Sequence, residues 1–517
     1  MKYNRTKNTA RNLFFGLITK IYNIVIPFLM RTAMIYLLGM EYLGLNSLFT
    51  SVLSVLNLAE LGVGTAMTFS MYKPIAEGDS AKICALMRLY KIYYRIIGAV
   101  ILGLGLCIMP ALPMLVKKDL PPDVNLYVLY VINLLATVFT YWLFAYKNCL
   151  LYAHQRNDVT DKIGYIVNTA KYGIQLLVLF IIKDYYVYII VMLLSNIASN
   201  IVTALVVNRM YPQYKAMGKL PKSEVSLINR RIRDLFTSKV GVVVVDSADT
   251  IVISAFLGLT ALAKYQNYYF ILNTIYGFIT LITSSSLAGI GNSIVTESSE
   301  KNYIDLKKFT FIFSWLSVFS VCCFLCLYQP FMELWVGEDN LLPYGMVIMF
   351  SAYFFIKEIN AVLNVYKDAS GIWHRDRFRP LVTAAANLIM NLIMVQFWGL
   401  YGILLSTALS MLIVGMPWII HNVFTEIFKC NPLKYVLSLL GYTAVCVVCG
   451  AVCVGISKFI SFDSNVLTIC VRLLVCLVVP NGIMFVVYRK CPEFVSLVSM
   501  VNSLTKNKLK FLNKFTQ

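Results

Sequence analysis

Polar side chains recur at helical spacing inside otherwise apolar stretches, and they carry whatever chemistry this chain performs. Lys20, Asn23, Pro27 and Arg31 follow one another at intervals of three, four and four. Residues so spaced share one helix face, so two cations lie along a single stripe. Asn168, Lys171 and Gln175 repeat the pattern, as do Tyr353, Lys357, Asn360 and Asn364, and again Asn387, Asn391 and Trp398. An acidic counterpart runs through Thr50, Asn57, Glu60 and Gly64, and Asp246 stands one turn from Asp249. Lysine and arginine hold phosphate-like anions through charge-assisted hydrogen bonds. Glu60, Asp246 and Asp249 are the candidates to titrate or to hold a sodium ion. Pro27 removes a helix hydrogen bond, so a kink is expected there.

The elements that position these groups are long apolar segments, fourteen of them. They lie near 13–38, 42–71, 86–109, 124–146, 163–182, 185–208, 236–258, 264–294, 309–330, 341–366, 380–398, 400–422, 435–457 and 466–488. Each is long enough for an apolar helix to cross a bilayer. The expectation is an all-α integral membrane protein. Ionisable groups at bilayer depth are costly and face an interior or a water-filled cavity. Here the basic ones are Lys20, Arg31, Arg95, Lys171, Lys239, Lys264, Lys357 and Arg472, against Glu60, Asp246, Asp249 and Glu358. Arg95, Lys239, Lys264 and Arg472 are near span ends and can snorkel. Lys20, Arg31, Lys171 and Lys357 cannot do so as easily. Pairs such as Arg31–Glu60 or Lys357–Glu358 could simply hold helices together. Positive charge remains after such pairing, however, and a cavity lined by Lys20, Arg31, Lys171 and Lys357 suits a phosphate or diphosphate.

Orientation follows from the basic residues. With the N-terminus in the cytoplasm, and with Arg88 and Lys91 at the inner end of their span counted on that side, 33 of the 45 Lys and Arg residues are cytoplasmic. Eight lie in spans, and the outer loops hold only Lys117, Lys118, Lys183 and Lys458. This is the positive-inside pattern with both termini cytoplasmic. It explains the net charge of +20 without nucleic acid. The expected organisation is a six-helix lobe over 1–208, a basic cytoplasmic linker over 209–234 and a second six-helix lobe over 235–422. An additional helix pair over 423–488 and a basic tail over 489–517 complete it, the tail forming a short surface helix. A weak repeat supports the two lobes: "MIYLLGMEYLGLNSLF" and "VISAFLGLTALAKYQNYY" both run from an apolar helix through Leu-Gly into a polar-flecked helix.

Composition excludes several classes. A chain that is 59% hydrophobic and 14% charged is neither an ordinary soluble domain nor a disordered one. The three histidines, His154, His374 and His421, fall at unrelated places, so no zinc or catalytic centre is expected from them. No GxxxxGK[ST] sequence is present, so the chain is not expected to burn ATP. The cysteines, Cys322, Cys323, Cys326, Cys446, Cys449 and Cys453 among them, read as polarizable packing residues rather than as a disulfide framework. Tyr265, Tyr268, Tyr269 and Tyr276 open the eighth span beside Gln266 and Asn267. They read either as a platform for sugar rings or, for Tyr265 at least, as an interfacial aromatic belt. Tyr268, Tyr269, Asn360 and Asn387 are the candidate sugar contacts.

Two stretches carry a family resemblance: "LLGMEYLGLNSLFTSVLSVLNLAELGVGTAM" at 37–67 and "DSADTIVISAFLG" at 246–258. They resemble the second-span acidic-Leu-Gly element and the seventh-span Asp element of Wzx-type oligosaccharide flippases. These form the polysaccharide transporter family of the multidrug/oligosaccharidyl-lipid/polysaccharide exporter (MOP) superfamily. On that match Glu60 and Asp249 fall on the acidic positions. The resemblance implies about fourteen spans, as two pseudo-symmetric six-helix lobes around a cavity plus two further C-terminal helices. It implies a transporter rather than an enzyme, set in the bacterial cytoplasmic (inner) membrane. The expected cargo is an undecaprenyl-diphosphate-linked oligosaccharide, moved to the outer leaflet by alternating access for capsule, O-antigen or exopolysaccharide. Membrane lipids and the pathway's polymerase and glycosyltransferases are the expected partners, with no cofactor and H+ or Na+ as candidate coupling ion. A lipid II flippase shares fold and mechanism. A multidrug antiporter favours acidic cavities and fewer spans, and a membrane polymerase or glycosyltransferase needs a catalytic outer loop that this chain lacks.

Overall fold

The structure, a computed structural model, describes residues 5–504 apart from Lys117, with side chains from Ile21 onward except at a few scattered positions. Among the described residues there is helix and no strand. Twelve helices are long and apolar enough to cross a membrane, and a pair bent by 43°, Leu126–Trp142 with Ala145–Ala153, makes a thirteenth. The first helix adds Ile21–Leu37 to the described apolar part. Each of the fourteen apolar segments of the sequence is thus largely helical, some as a single helix and some in two or more pieces. Helix is what a bilayer demands, because every backbone N–H and C=O must be satisfied within the segment. Phe397 and Phe459, 76% and 93% exposed, belong to a large set of exposed apolar side chains that suits lipid rather than water.

The chain forms two compact units, Met1–Ala263 and Lys264–Gln517. Unit 1 holds α1 (Arg5–Leu37), α2 (Met40–Leu56), α3 (Val63–Glu77), α4 (Ser80–Ile108) and a short α5 (Leu112–Leu115). It continues with α6 (Leu126–Trp142), α7 (Asn148–Ala153), α8 (Asn157–Leu177), α9 (Tyr185–Met210) and α10 (Lys222–Leu257). Local sequence sets the starts. Asp79, Asn125 and Asp184 accept the backbone N–H groups of Lys82, Val128 and Val187, caps worth about 1 kcal/mol each. Gly44 lets α2 close on the turn after α10, since a Cβ there would lie 2.2 Å from the Leu259 carbonyl oxygen.

The polar stretch 209–234 is not a loop throughout. Only 211–221 are non-helical, and from Lys222 the chain is already α10. It is fastened to α4: Lys82 pairs with Glu224 at 2.8 Å, Arg88 donates to the Gly218 carbonyl at 3.0 Å, and Tyr93 donates to Asn229 at 2.6 Å. Because α10 also packs on α2, α3 and α5, the compact units divide after Ala263, one helix later than a boundary in the linker.

Unit 2 takes in α11 (Leu259–Thr296) from Lys264 onward, then α12 (Ser299–Val336), α13 (Tyr344–Ser370), α14 (Trp373–Asp376) and α15 (Arg379–Trp398). α16 (Leu400–Ser410) and α17 (Met416–Val423) join through a π-helical turn at Met411–Gly415. α18 (Leu433–Ser457), α19 (Asn465–Tyr488) and α20 (Pro492–Leu504) end the described chain. α12 is the hub, packing on α13, α18, α19 and α20. Cysteines fill its seam with the last two spans. Cys322, Cys326, Cys446, Cys449, Cys453 and Cys476 are buried, none of the thirteen cysteines is disulfide-bonded, and Cys476 Sγ donates to the Cys322 carbonyl at 3.5 Å. Of the expected surface helix in the tail, α20 is described, while Lys506, Lys508, Lys510 and Lys514 lie outside the described residues.

Candidate functional site

Lys357 sits mid-way along α13 in unit 2, half-buried. Its ammonium donates to Asn273 Oδ1 at 2.8 Å. Three tyrosine rings surround it, with Nζ 4.4 Å from the centroid of Tyr276, 5.4 Å from Tyr269 and 5.6 Å from Tyr353. Attraction to ring faces stabilises a cation by about 0.5–2 kcal/mol, more where water is excluded. The cage therefore surrounds a charged donor with three ring faces and an amide oxygen. Glu358, the next residue, is fully buried, and neither carboxylate oxygen has a hydrogen-bond partner among the described residues. Asn360 lies one turn on, and its Oδ1 is buried and likewise without a partner among the described residues. Cation, aromatic faces and an amide acceptor together can bind an anion attached to a hydroxylated group.

The stripe on α13 ends in a charge cluster that sequence reasoning missed. Asn364 Oδ1 accepts from Arg379 at 2.9 Å, and Arg379 makes a bidentate pair with Asp376 at 2.7 and 2.8 Å. Asn422 donates to Asp376 at 3.1 Å, and Lys367 lies 3.8 Å from it. Arg379 and Asp376 are 7% and 3% exposed. In the sequence these residues read as loop charges. No spacing rule announces that a short α14 folds them back under α13 and α17.

In unit 1 the second span is broken where Glu60 sits. α2 ends at Leu56, a 3₁₀ turn covers Asn57–Glu60, and Gly62 takes φ 87° before α3 begins. A side chain at Gly62 would also meet Leu235 Cβ at 2.7 Å, so the break is tight against α10. Tyr94 donates to Glu60 Oε1 at 3.1 Å, Tyr90 donates to Tyr94 at 2.5 Å, and Gly64 N–H bonds the same carboxylate. The fourth span is bent beside it, with Phe144 at φ 63°, and Tyr141 next to that bend donates to Asn57 at 3.1 Å. Two interrupted spans thus meet over a cavity of about 560 Å³ with Glu60 and Lys239 in its wall. Irregular backbone at membrane depth is tolerated where it lines a cavity, and interrupted helices mark binding sites in transporters.

The other expected site residues are spread over the two units. Arg31 is half-buried on α1. Lys171, on α8, holds its ammonium 4.1 Å from the Tyr172 ring centroid. α1 and α8 meet through a 2.9 Å hydrogen bond between Tyr22 and Thr169. The side chain of Lys20 lies outside the described residues. Asp246 is exposed and Asp249 buried, although they stand one turn apart on α10. Two of the four candidate sugar contacts are committed to the protein itself. Tyr268 is fully buried, donating to Gln329 at 2.7 Å and accepting the Leu342 N–H at 3.2 Å. Asn387 is fully buried, donating to Thr407 at 3.0 Å and accepting from Asn391 at 3.3 Å. Periodicity placed them on a polar face, but that face is turned into the helix packing. The Tyr269 ring stands beside Lys357, and Asn360 lies one turn further along α13.

The described chain is thus two compact units of span-length helices, with two interrupted spans in the first. The fold resembles that of several solved membrane transporters. The lipid II flippase MurJ, in an inward closed conformation, matches with a TM-score of 0.68 at 14% identity, over 92% of this chain and 99% of that one. An inward-facing multidrug transporter of the MATE family, of the MOP superfamily, matches at 0.59 and 15% identity, over 80% of this chain and 96% of that one. The Vibrio cholerae MATE transporter VcmN matches at 0.51 and 15%, over 83% and 99%. At these identities the likeness shows the fold alone. No family model matches the chain, and no curated protein matches it. The protein is a multi-pass membrane protein whose fold is like that of these solved structures.

Proposed function

We propose that this chain is a flippase that carries undecaprenyl-diphosphate-linked oligosaccharide from the cytoplasmic to the outer leaflet by alternating access. The observation that carries this reading is the caged ammonium of Lys357 at membrane depth, bonded to Asn273 and ringed by Tyr269, Tyr276 and Tyr353. A diphosphate is the natural ligand of such a donor, and aromatic and amide groups beside it suit the attached sugar. Lys20, Arg31 and Lys171 are the further cations assigned to the head group. Glu60, Asp246 and Asp249 are assigned to coupling with H+ or Na+. A cationic site of this kind disfavours the cationic drugs of multidrug antiporters by simple repulsion.

Fold likeness to a lipid II flippase fits either lipid-linked cargo. Two measurements test the reading. In the native host, depletion of this protein should make lipid-linked oligosaccharide accumulate on the cytoplasmic leaflet while surface polysaccharide falls. Rescue of cells depleted of their lipid II flippase would instead assign the cargo as lipid II. Normal surface polysaccharide after depletion, with no accumulated intermediate, would sink the proposal.

A further inference from the structure

The cavity beneath the break of the second span holds groups that the diphosphate reading leaves unused. Its volume, about 560 Å³, is within the range of about 300–1,000 Å³ typical of small-ligand sites. Tyr72, Tyr152 and Phe69 form an aromatic wall, with 45%, 44% and 56% of their surfaces exposed. Thr65, Thr68 and Asn148 add hydrogen-bonding groups, and Glu60 closes one end. The wall is backed by Tyr90 and Tyr94, which are buried and bonded to one another and to Glu60, so the carboxylate is fixed in position. An ionised carboxylate offers about four lone-pair sites. Tyr94 and the Gly64 N–H occupy two of them, which leaves Glu60 able to accept further hydrogen bonds.

We infer that this cavity is a saccharide subsite: a pyranose ring stacks its C–H face on Tyr72 or Tyr152 while Glu60 accepts one of its hydroxyls. A sugar ring presents one apolar face and a rim of donors, which is the complement of an aromatic wall ending in a fixed acceptor. Charge separates the sugar from its rival. The lining itself carries one ammonium and one carboxylate, Lys239 and Glu60, with Arg231 set over the Phe69 ring at 4.8 Å, and the carboxylate repels a phosphate placed beside it. The cavity therefore suits an uncharged saccharide rather than an anion. This rests on the flippase reading and deepens it by naming where the glycan is read.

The test uses the full-length protein in lipid nanodiscs and four probes. These are a polyprenyl diphosphate and the same lipid carrying one hexose, one N-acetylhexosamine or one deoxyhexose. Dissociation constants are measured for the parent and for Tyr72→Ala, Tyr152→Ala, Glu60→Gln and Lys357→Ala, with thermal melting to confirm folding. Both tyrosines are nearly half exposed, so their truncation leaves the core intact. At least one glycosylated lipid should bind roughly tenfold more tightly than the bare lipid. The ratio of the two affinities should fall to within about threefold in Tyr72→Ala or Tyr152→Ala, and in Glu60→Gln. Lys357→Ala should weaken all four probes alike and leave the ratio unchanged. A ratio near one for every sugar in the parent, or one that survives both tyrosine variants, overturns the subsite. Failure of the bare lipid to bind, or its indifference to Lys357→Ala, overturns the flippase reading instead.

Discussion

Tyr94 donates its hydroxyl hydrogen to Glu60 across 3.1 Å, tying α4 to the turn at which the second span breaks. The bond fixes the carboxylate at the N-terminal end of α3, where backbone N–H groups are unpaired within the helix and favour negative charge.

A double-mutant cycle measures this bond. Tyr94→Phe leaves the Glu60 carboxylate short of a donor, and Glu60→Gln removes the charge that makes the bond strong. Hydrogen bonds to charged groups contribute about 1.5–3 kcal/mol. The single variants should each destabilise the protein in thermal melts. The pair should be less than additive by about 0.5–3 kcal/mol. Additive losses would mean the two residues do not act on one another.

Lys357 should matter for transport more than for folding. Removal of its ammonium in Lys357→Ala forfeits a charge-assisted contact worth about 1.5–3 kcal/mol, roughly a 10–150-fold loss in head-group affinity. Lys357→Arg keeps the charge but brings a wide planar group into a cage sized for an ammonium, and should restore only part of the flux. Asn273→Ala frees the ammonium to move within the cage and should cost less than Lys357→Ala. The readout is the unflipped lipid-linked oligosaccharide on the cytoplasmic leaflet, normalised to protein in the membrane. Wild-type flux in Lys357→Ala would remove the residue from the site.

Much of this architecture is legible in the amino-acid sequence. Apolar runs of span length have one solution in a bilayer, so helix positions follow directly from hydropathy. The stripe through Tyr353, Lys357 and Asn360 was legible for the same reason, since the period of a helix fixes which residues share a face. Which neighbour that face meets is not a periodic property. Asn387 and Lys357 both sit on polar stripes, yet Asn387 is packed against Thr407 while Lys357 faces three tyrosines. The break at Glu60 was equally hidden: Gly62 and Gly64 read as small residues in a span, and only the approach of Leu235 and Tyr90 shows what they make room for.

Arg379 and Asp376 show what hydropathy misreads. They stand in a charged stretch between two spans but form a buried bidentate pair with Asn364 and Asn422. Breaking a buried pair strands one charge and costs about 3–5 kcal/mol. Arg379→Ala should therefore lower the melting temperature sharply. Arg379→Met combined with Asp376→Leu should recover much of that loss, because no charge is left unpaired. If both variants melt equally early, packing rather than charge holds this corner.

Glu358 should behave in the opposite way. Both of its oxygens are buried without hydrogen-bond partners among the described residues, a condition that costs about 1–3 kcal/mol. Glu358→Met fits a similar volume without the polar cost and should raise the melting temperature. Stability lost in this way to a polar group is usually retained for function, so transport should fall as stability rises. A variant that is more stable and equally active would make Glu358 a tolerated passenger.

Topology is the remaining prediction, and it follows from charge. The segment 209–234 carries Arg209, Lys215, Lys219, Lys222, Arg230, Arg231 and Arg233, whereas 333–342 carries no basic residue. The positive-inside rule therefore places the first in the cytoplasm and the second outside. Lys222 and Glu338 are both exposed, so a cysteine at either position is open to reagent. Most native thiols are buried and inert to a polar label; Cys107, Cys430 and Cys470 are exposed and Cys323 and Cys491 half-exposed, so these five need replacing first. A membrane-impermeant maleimide applied to intact cells should label Glu338→Cys and spare Lys222→Cys, which should react only after permeabilisation. Labelling of Lys222→Cys from outside would invert the orientation. It would also put the cavity at Glu60 and the caged Lys357 to use in a transport cycle running the other way.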